Sequence, residues 1–264
     1  MIVKPFSSIQ QCRYGVMIYN RFDTVIGKSL EVYHEFSEGE VAVFRHFVKK
    51  GHVVLDIGAN LGAHTVFFGK KVGLKGEVHA FEPQRILYQM LCGNMALNNI
   101  VRGYCYLAAV GDHDGAVRVP QITPWETYNY GRLNVEDHEI GDDVELMTVD
   151  GIHFPQVDFI KIDVEGMEEQ VLLGAESTIA RSRPIIYTEN NPGPRANSVI
   201  RLLDGMGYDI YWHYPLYFNQ TNTAGNTTNI FGNLYSHNML CLPRDRPGLE
   251  NFGLAKVDVA KHQE

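Results

Sequence analysis

The sequence predicts an α/β fold in which helices cover both faces of a mostly parallel β-sheet. From Val53 onward, short apolar runs of strand length alternate with amphipathic stretches of helical length. This alternation is typical of right-handed strand–helix–strand units. The apolar runs are continuous, as expected of strands that are buried on both faces. A chain of 264 residues is also long enough to bury such a core.

The first fifty residues precede this alternation and are predicted to form a small appendage of strands and one helix. Tyr14–Asp23 has the composition of an edge strand, and Ser29–Phe36 has that of a second extended segment. Ser37 and Glu40 have the spacing of a capping box, in which a serine begins a helix and a glutamate three residues later hydrogen-bonds back to it. We therefore expect a helix between Ser37 and Gly51.

The main domain is predicted to occupy residues 51–264, with the appendage at residues 1–50. Its strands are expected at 53–58, 76–83, 103–111, 157–166, 183–190, 208–214 and 237–243, and its helices at 63–73, 84–98, 168–180 and 198–207. Residues at about 115–150 break the alternation. We expect them to form an insertion with two short strands, Val117–Val119 and Val144–Met147.

Charge and cysteine content argue against several classes of protein. The chain has 23 basic and 31 acidic residues, a net charge of −8, and no dense basic run that would bind nucleic acid or an anionic membrane. The four cysteines form no C-x-x-C pair, which argues against a zinc ribbon. No apolar stretch reaches the ~20 residues of a membrane span, and we expect no signal peptide. These features predict a cytoplasmic protein.

The most informative motif is a glycine-rich turn between the first strand and the first helix of the main domain. It reads D-I-G-A-N-L-G, from Asp56 to Gly62. Glycines at 58 and 62 let the backbone approach a ligand closely, and the helix that follows presents free N–H groups. A dinucleotide-binding turn would read G-x-G-x-x-G, whereas this chain has G-x-N-x-G. Asp56 would repel a pyrophosphate and suits a cationic ligand.

A second acid, Glu82, ends the next predicted strand, twenty residues after Gly62. A carboxylate at this position is placed to accept hydrogen bonds from both hydroxyls of a ribose. The glycine turn alone is weak evidence for a ligand, because tight turns also use glycine. Together with Glu82, it fits an adenosyl ligand that carries an ammonium and a sulfonium group.

With these residues the chain resembles the FkbM family of S-adenosylmethionine-dependent methyltransferases. The matching segments are VVLDIGANLGAHT, VHAFEPQ, AAVGDHDG, VDFIKIDVEGMEEQVLLGA and HNMLCLP. The resemblance implies a Rossmann-like class I methyltransferase fold, with a seven-stranded sheet in the order 3-2-1-4-5-7-6 and an antiparallel last strand. It also implies S-adenosylmethionine as the cofactor and methyl transfer to oxygen, commonly to a hydroxyl of a sugar or polysaccharide or of a polyketide.

The resemblance also assigns cofactor-binding residues by position. The turn would lie under the methionine portion, with Asp56 supporting the loop and the ammonium group. Glu82 would bind the ribose, and Ala109 and Val110 end the third strand, where an adenine ring normally lies. The full set is Asp56, Gly58, Asn60, Gly62, Thr65, Glu82, Ala109 and Val110.

Four side chains at predicted strand ends are candidates for the chemistry: Asp163, Glu165, Glu189 and His213. Since ligands bind where the carboxyl ends of parallel strands meet, we expect these four to converge. Methyl transfer to a hydroxyl benefits from a base that accepts its proton. We expect that base to be His213 or Glu165, with Asp163 beside the cofactor. Turn, helix-cap or packing roles are the alternative.

A metal-dependent reading uses an overlapping set of residues. Asp163, Glu189 and Asn190 resemble the metal ligands of catechol-type O-methyltransferases, and three oxygen ligands would suit Mg²⁺. We do not favour this alternative, because FkbM relatives commonly keep the glutamate without an obvious metal role. We therefore assign no residue to a metal.

Acceptor binding is assigned to the insertion and to the asparagine-rich loop that follows His213. The candidate residues are Tyr128, Asn129, Tyr130 and Tyr217, with Trp125 nearby. Aromatic faces combined with amides suit a sugar ring, which has apolar faces and hydroxyl edges. Packing of a lid without ligand contact is the alternative.

Two other functions compete with methyl transfer. A nicotinamide-dependent Rossmann oxidoreductase is disfavoured by Asp56 and by the G-x-N-x-G turn. A non-catalytic SAM-binding partner subunit would bind S-adenosylmethionine without turnover. The sequence leaves the oligomeric state open, including a homo-oligomer.

Overall fold

A computed structural model describes residues 4–132, 141–193 and 195–262. The strands are β1 (Ser7–Cys12), β2 (Gly15–Asn20), β3 (Val53–Ile57), β4 (Glu77–Phe81), β5 (Gly103–Tyr106), β6 (Ala108–Val110), β7 (Gly115–Val119), β8 (Asp142–Met147), β9 (Phe159–Ile162), β10 (Ile185–Glu189), β11 (Tyr208–His213) and β12 (Asn238–Pro243). The helices are α1 (Ile26–Tyr33), α2 (Glu38–Phe47), α3 (Ala63–Val72), α4 (Arg85–Leu97), α5 (Val149–Ile152), α6 (Glu168–Leu173), α7 (Glu176–Ser182) and α8 (Ala196–Gly205).

The central sheet has seven strands in the order β11-β12-β10-β9-β3-β4-β5. The five strands from β10 to β5 pair in parallel, whereas β12 is antiparallel to both of its neighbours. Numbered along the main domain, this is the expected order 3-2-1-4-5-7-6 with an antiparallel last strand. The parallel strands therefore end at one edge of the sheet, where a ligand would bind.

Both faces of the sheet are covered, and β3 shows why its sequence is continuously apolar. Val54 packs in a cluster with Phe44 of α2 and Phe68 of α3. Leu55 points to the other face, where it packs in a cluster with Leu203 of α8. Each buried side chain of this size contributes about 1.5–3 kcal/mol. Within the described residues, every helix is too short or too polar to span a bilayer.

The N-terminal segment corrects two expectations. The segment predicted to be extended, Ser29–Phe36, falls largely in helix α1, because Asp23 caps that helix by accepting hydrogen bonds from the N–H groups of Val25 and Gly27. The capping box is also wrong. Ser37 has a left-handed φ of 46° and makes no side-chain cap, and Glu40 turns toward the sheet instead.

Two predicted elements are interrupted in the structure, each in a different way. The third strand was expected to continue through 103–111, but β6 leaves the main sheet and pairs with β8 in a separate three-stranded sheet with β7. The helix expected at 168–180 is divided at Gly174, where an added Cβ would lie 1.9 Å from the carbonyl oxygen of Gly111. The two insertion strands are confirmed, and the residues between 132 and 141 lie outside the described part.

Candidate active site

A cleft lies over the carboxyl ends of the parallel strands. Its lining includes Gly58 after β3, Glu82 after β4, Asp163 after β9 and Glu189 at the end of β10. The cleft contains about 1210 Å³ of space between protein atoms, including its open mouth. The carboxyl ends of the parallel strands thus border one solvent-open concave space, where ligands bind in folds of this kind.

The glycine turn forms one wall of the cleft and requires its glycines. Gly58 has a φ of +78°, and an added Cβ would lie 1.8 Å from the carbonyl oxygen of Asp163. Asn60 and Gly62 are also left-handed, with φ values of 54° and 89°. The turn thus brings the end of β3 against the end of β9 and leaves exposed backbone on the cleft side. This is the close approach that the motif predicts.

Glu82 is fixed by the backbone on both sides of the cleft. Its Oε2 accepts a hydrogen bond from the N–H of Asn60 at 2.8 Å, and its Oε1 accepts one from the N–H of Gln84 at 2.7 Å. Burial raises the pKa of the Glu82 carboxyl to about 7, although these two N–H groups act in the opposite direction. A carboxylate held in this way keeps free lone pairs for two further donors.

Asp56 and Thr65 lie behind the turn rather than in the cleft. Asp56 is fully buried, and its Oδ2 accepts a 2.6 Å hydrogen bond from the Thr65 hydroxyl. Neither residue belongs to the cleft lining among the described residues. Asp56 therefore supports the turn, as expected, through its hydrogen bond to Thr65. Contact of either residue with the cofactor stays a prediction.

Lys161 is a site residue that the sequence analysis missed. Its Nζ donates to the carbonyl oxygen of Gly58 at 2.9 Å and lies 3.3 Å from Asp56 and 3.5 Å from Asp163. Burial alone would lower the pKa of this ammonium, but Asp56, Asp163 and Glu40 raise it above its usual value, so the group stays charged. A single lysine inside the apolar run FIKI was the available signal.

Gln84 contributes a buried donor to the cleft that is left unpaired within the described residues. The Nε2 of Gln84 is buried without a hydrogen bond among the described residues, and Gln84 lines the cleft together with Ala109 and Val110. Leaving such a donor unpaired costs about 1–3 kcal/mol, which a ligand acceptor would relieve. An unpaired donor beside Glu82 and an apolar strand end fits a ribose and a heterocyclic base.

Three of the four predicted catalytic residues converge. Asp163, Glu165 and Glu189 each place a carboxylate oxygen within 4.8 Å of the others. Burial raises the pKa of Glu189 well above its usual value, and the negative charges of Asp163 and Glu165 add to the effect. The cluster gives this part of the cleft a negative potential that complements a cationic ligand.

The metal alternative depends on Asn190, which is buried and is not part of the cleft lining within the described chain. Its amide nitrogen donates to the carbonyl oxygen of Ala196 at 3.2 Å. A metal would bind the amide oxygen, so this hydrogen bond does not decide the alternative. Asp163, Glu165 and Glu189 form an acidic cluster, and we assign no metal to them.

His213 does not reach the cleft, which corrects its prediction as a base. It lies on edge strand β11, and its Nδ1 is 2.7 Å from the hydroxyl of Tyr187. Burial lowers its pKa to about 4. No described residue of β11 lines the cleft, because antiparallel β12 separates this strand from β10.

The N-terminal segment instead supplies part of the cleft wall. Glu40 of α2 and His64 of α3 both line it and are both buried. Asn238 donates to Oε1 of Glu40 at 2.5 Å, and Nε2 of His64 lies 3.3 Å from Oε2. No local pattern indicated this role for Glu40, because its spacing from Ser37 is that of a capping box.

The acceptor-binding candidates divide between the cleft and the surface. Asn129, Tyr130 and Tyr217 line the cleft. Tyr128 is 46% exposed and lies outside the lining of the described cleft. Trp125 is also outside it, since its Nε1 donates to the carbonyl oxygen of Lys4. The prediction for Tyr128 is therefore corrected, whereas the other three residues belong to the lining of the cleft.

Comparison with known proteins gives a consistent result. The family model described as the Methyltransferase FkbM domain matches residues 56–210, more than half of the chain. The chain is 28% identical over 202 residues to 31-O-demethyl-FK506 methyltransferase FkbM of Streptomyces tacrolimicus, covering 63% of this chain and 76% of that protein. It is 25% identical over 191 residues to methyltransferase sdnD of Sordaria araneosa, covering 60% and 73%. A crystal structure of methyltransferase FkbM from Methylobacillus flagellatus aligns with a TM-score of 0.47 and 19% identity over 72% of this chain and 43% of that one.

Proposed function

Because the chain belongs to the FkbM family of S-adenosylmethionine-dependent methyltransferases, we propose that it methylates a hydroxyl oxygen of a sugar, a polysaccharide or another small polyhydroxylated, polyketide-like acceptor. The observation that carries this proposal is the division of the cleft into two halves. One half consists of the glycine turn and Glu82, and the other combines the three carboxylates with Tyr217.

The first half fits S-adenosylmethionine, which supplies a methyl group bonded to a positively charged sulfur. Glu82 would accept hydrogen bonds from the ribose hydroxyls, and Gln84 would pair its free donor with an acceptor of the nucleoside. Ala109 and Val110 would pack against the adenine ring. The turn from Gly58 to Gly62 would lie under the methionine portion, as proposed from the family motif.

The second half suits a polar acceptor beside a cationic sulfur. Asp163, Glu165 and Glu189 can accept hydrogen bonds from several hydroxyls, and their charge favours a positive group nearby. The rings of Tyr130 and Tyr217 can cover an apolar face of the acceptor. The remaining requirement for methyl transfer is an acceptor oxygen held in line with the methyl group.

A labelled-methyl assay with a chemically mixed acceptor panel tests the proposal. Purified protein would be incubated with [methyl-³H]S-adenosylmethionine and methyl glycosides, soluble polysaccharides or hydroxylated macrolides. We expect base-stable label in at least one acceptor and a mass increase of one methyl group. Label released by mild alkali would indicate a methyl ester, and label in amino-bearing acceptors alone would indicate N-methylation. Either result, or no transfer to any acceptor, would contradict O-methylation of a hydroxyl.

A further inference from the structure

We propose that Glu40, on the N-terminal helix α2, is the general base that accepts the proton of the acceptor hydroxyl. This inference rests on the proposed O-methyl transfer and assigns its proton acceptor. Two observations carry it: Glu40 lines the cleft from outside the sheet, and its carboxylate is held in a defined orientation by neighbouring polar groups. Neither the glycine turn nor a strand end provides this residue.

The packing of α2 fixes the position of Glu40. Val41, Phe44 and Phe47 bury one side of the helix in the core shared with α3 and the sheet. Asn238, at the start of β12, donates to Oε1 of Glu40 and also to the hydroxyl of Tyr187. Oε1 accepts from Asn238, whereas Oε2 faces Nε2 of His64 at 3.3 Å, a ring nitrogen without a hydrogen bond among the described residues. Oε2 therefore keeps a lone pair that can accept a proton.

The surroundings of Glu40 make it a suitable proton acceptor near neutral pH. The charged and titratable groups around it are Lys161 of β9, Asp163 just after β9, His64 of α3, Tyr187 of β10 and Tyr217 of the C-terminal loop. Burial and then the charge of Asp163 raise the pKa of Glu40 to about 7, against the effect of Lys161. A base is most effective when its pKa lies near the working pH.

The other groups in the cleft are less suitable. Burial lowers the pKa of His64 well below its usual value, which makes it a weak base. The pKa of Glu189 is raised well above its usual value by burial and by the acidic cluster, so this residue is more readily protonated than available as a base. Glu165, one of the two bases expected from sequence, shares that cluster with Asp163. A variant of Glu165 therefore tests the competing hypothesis that Glu165 is the base.

The proposed step transfers one methyl group and one proton. The acceptor oxygen forms a bond to the methyl carbon as the bond between that carbon and sulfur breaks, and the sulfur keeps the electron pair as a neutral thioether. The hydroxyl proton moves to Oε2 of Glu40. The products are a methyl ether, S-adenosylhomocysteine and a protonated Glu40, which then releases its proton to solvent.

The test compares Glu40→Gln with Glu165→Gln in the labelled-methyl assay, using an acceptor that the wild-type protein methylates. We expect Glu40→Gln to lower kcat by about 10²–10⁴-fold while S-adenosylhomocysteine affinity changes by less than about twofold. The rise of kcat/KM with pH near neutrality should disappear. In Glu40→Ala, formate should restore part of the rate, which a purely structural role would not allow.

Several outcomes would overturn the assignment. These are a near-normal kcat for Glu40→Gln, an unchanged pH profile, or a comparable loss with formate rescue in Glu165→Ala instead. If Glu40→Gln does not fold, Glu40→Asp replaces it, which keeps a shorter carboxylate, and a pH profile of kcat/KM identical to wild type in that variant contradicts the proposal. Glu31→Gln, in a surface pair with Lys28, is the control and should retain full activity. Absence of turnover in the wild type would reject the O-methyl transfer itself, a result distinct from a normal rate in the variant.

Discussion

The two halves of the cleft are built in different ways. The half proposed to bind the cofactor, called the cofactor half, comes from the turns after β3 and β4. Its acid, Glu82, is held by backbone N–H groups. The acceptor half combines side chains from α2, the strand ends, the insertion and the C-terminal loop, and Glu40 there is held by the side chain of Asn238, 198 positions away.

This difference indicates in which half the sequence can change. A site made of backbone contacts within short turns depends on local conformation, so it tolerates few sequences and serves one ligand. A site made of side chains from distant segments can be altered one residue at a time without disturbing the turns. Acceptor specificity is therefore expected to depend on the second half, and each prediction below affects the two halves unequally.

The largest expected effect is on folding, from Gly58→Ala in the cofactor half. The added methyl group would collide with the carbonyl oxygen of Asp163, and the left-handed backbone at Gly58 adds strain. We expect a loss of more than about 4 kcal/mol in the free energy of unfolding, or no folded protein. Gly225→Ala, in an exposed loop, is the control, since Gly225 has a positive φ of 66° with open space around it and should lose only about 1 kcal/mol. Urea denaturation measures both, and equal losses would contradict the account of the turn.

Lys161→Met removes the side chain that contacts both Gly58 in the cofactor half and Asp163 in the acceptor half. Asp56 would keep its buried charge without the ammonium, and Gly58 would lose the donor to its carbonyl oxygen. Breaking a buried ion pair in this way costs about 3–5 kcal/mol. The matched surface variant, Lys28→Met, should change stability by less than about 1 kcal/mol. Similar stability of the two variants in urea denaturation would show that the link is unimportant.

Glu40→Gln should make the acceptor half less sensitive to pH. The pKa of Glu40 is about 7 in the folded protein, above its ordinary value of 4.5, because burial favours the protonated form. Its stabilising contribution is therefore full below about pH 4.5 and is lost as pH rises through about 7. The variant stays neutral, so its free energy of unfolding should increase by about 1–3 kcal/mol relative to wild type between pH 5 and pH 8. A constant difference over that range would contradict the raised pKa.

The smallest expected effect distinguishes two tyrosines that the sequence treats alike. Tyr217 lines the cleft, whereas Tyr128 lies outside the described lining. We expect Tyr217→Ala to raise the KM of the acceptor by about five- to twentyfold through loss of ring contacts, with unchanged affinity for S-adenosylhomocysteine. Tyr128→Ala should match wild type in both measurements. The reverse order of KM values would show that the acceptor binds outside the cleft.

The sequence predicted the cofactor half better than the acceptor half for a physical reason. The turn from Asp56 to Gly62 and the phased Glu82 lie on consecutive strand–helix units, whose geometry follows from local pattern. The convergence of Asp163, Glu165 and Glu189 followed from the same rule, because parallel strands end at one edge. This rule does not extend to His213, because β11 lies beyond the antiparallel strand β12.

Residues that depend on long-range packing could not be predicted. Glu40 has the local spacing of a capping box, and only the docking of α2 against the sheet turns it to Asn238. Ser29–Phe36 alternates like a strand, yet the cap from Asp23 starts helix α1 just before it. Lys161 was visible as a charge in an apolar strand, but its partners became evident only when β9 was placed beside β3.

The most direct test of the central claim is titration calorimetry with S-adenosylhomocysteine at pH 8. The account predicts micromolar-range binding to the wild-type protein and a loss of about a hundredfold or more in Glu82→Ala, because hydrogen bonds to the buried carboxylate disappear. Glu77→Ala, at the opposite end of β4, should bind as wild type does. Absence of binding to a folded wild-type sample, or equal affinity in Glu82→Ala, would contradict the placement of the cofactor in this cleft.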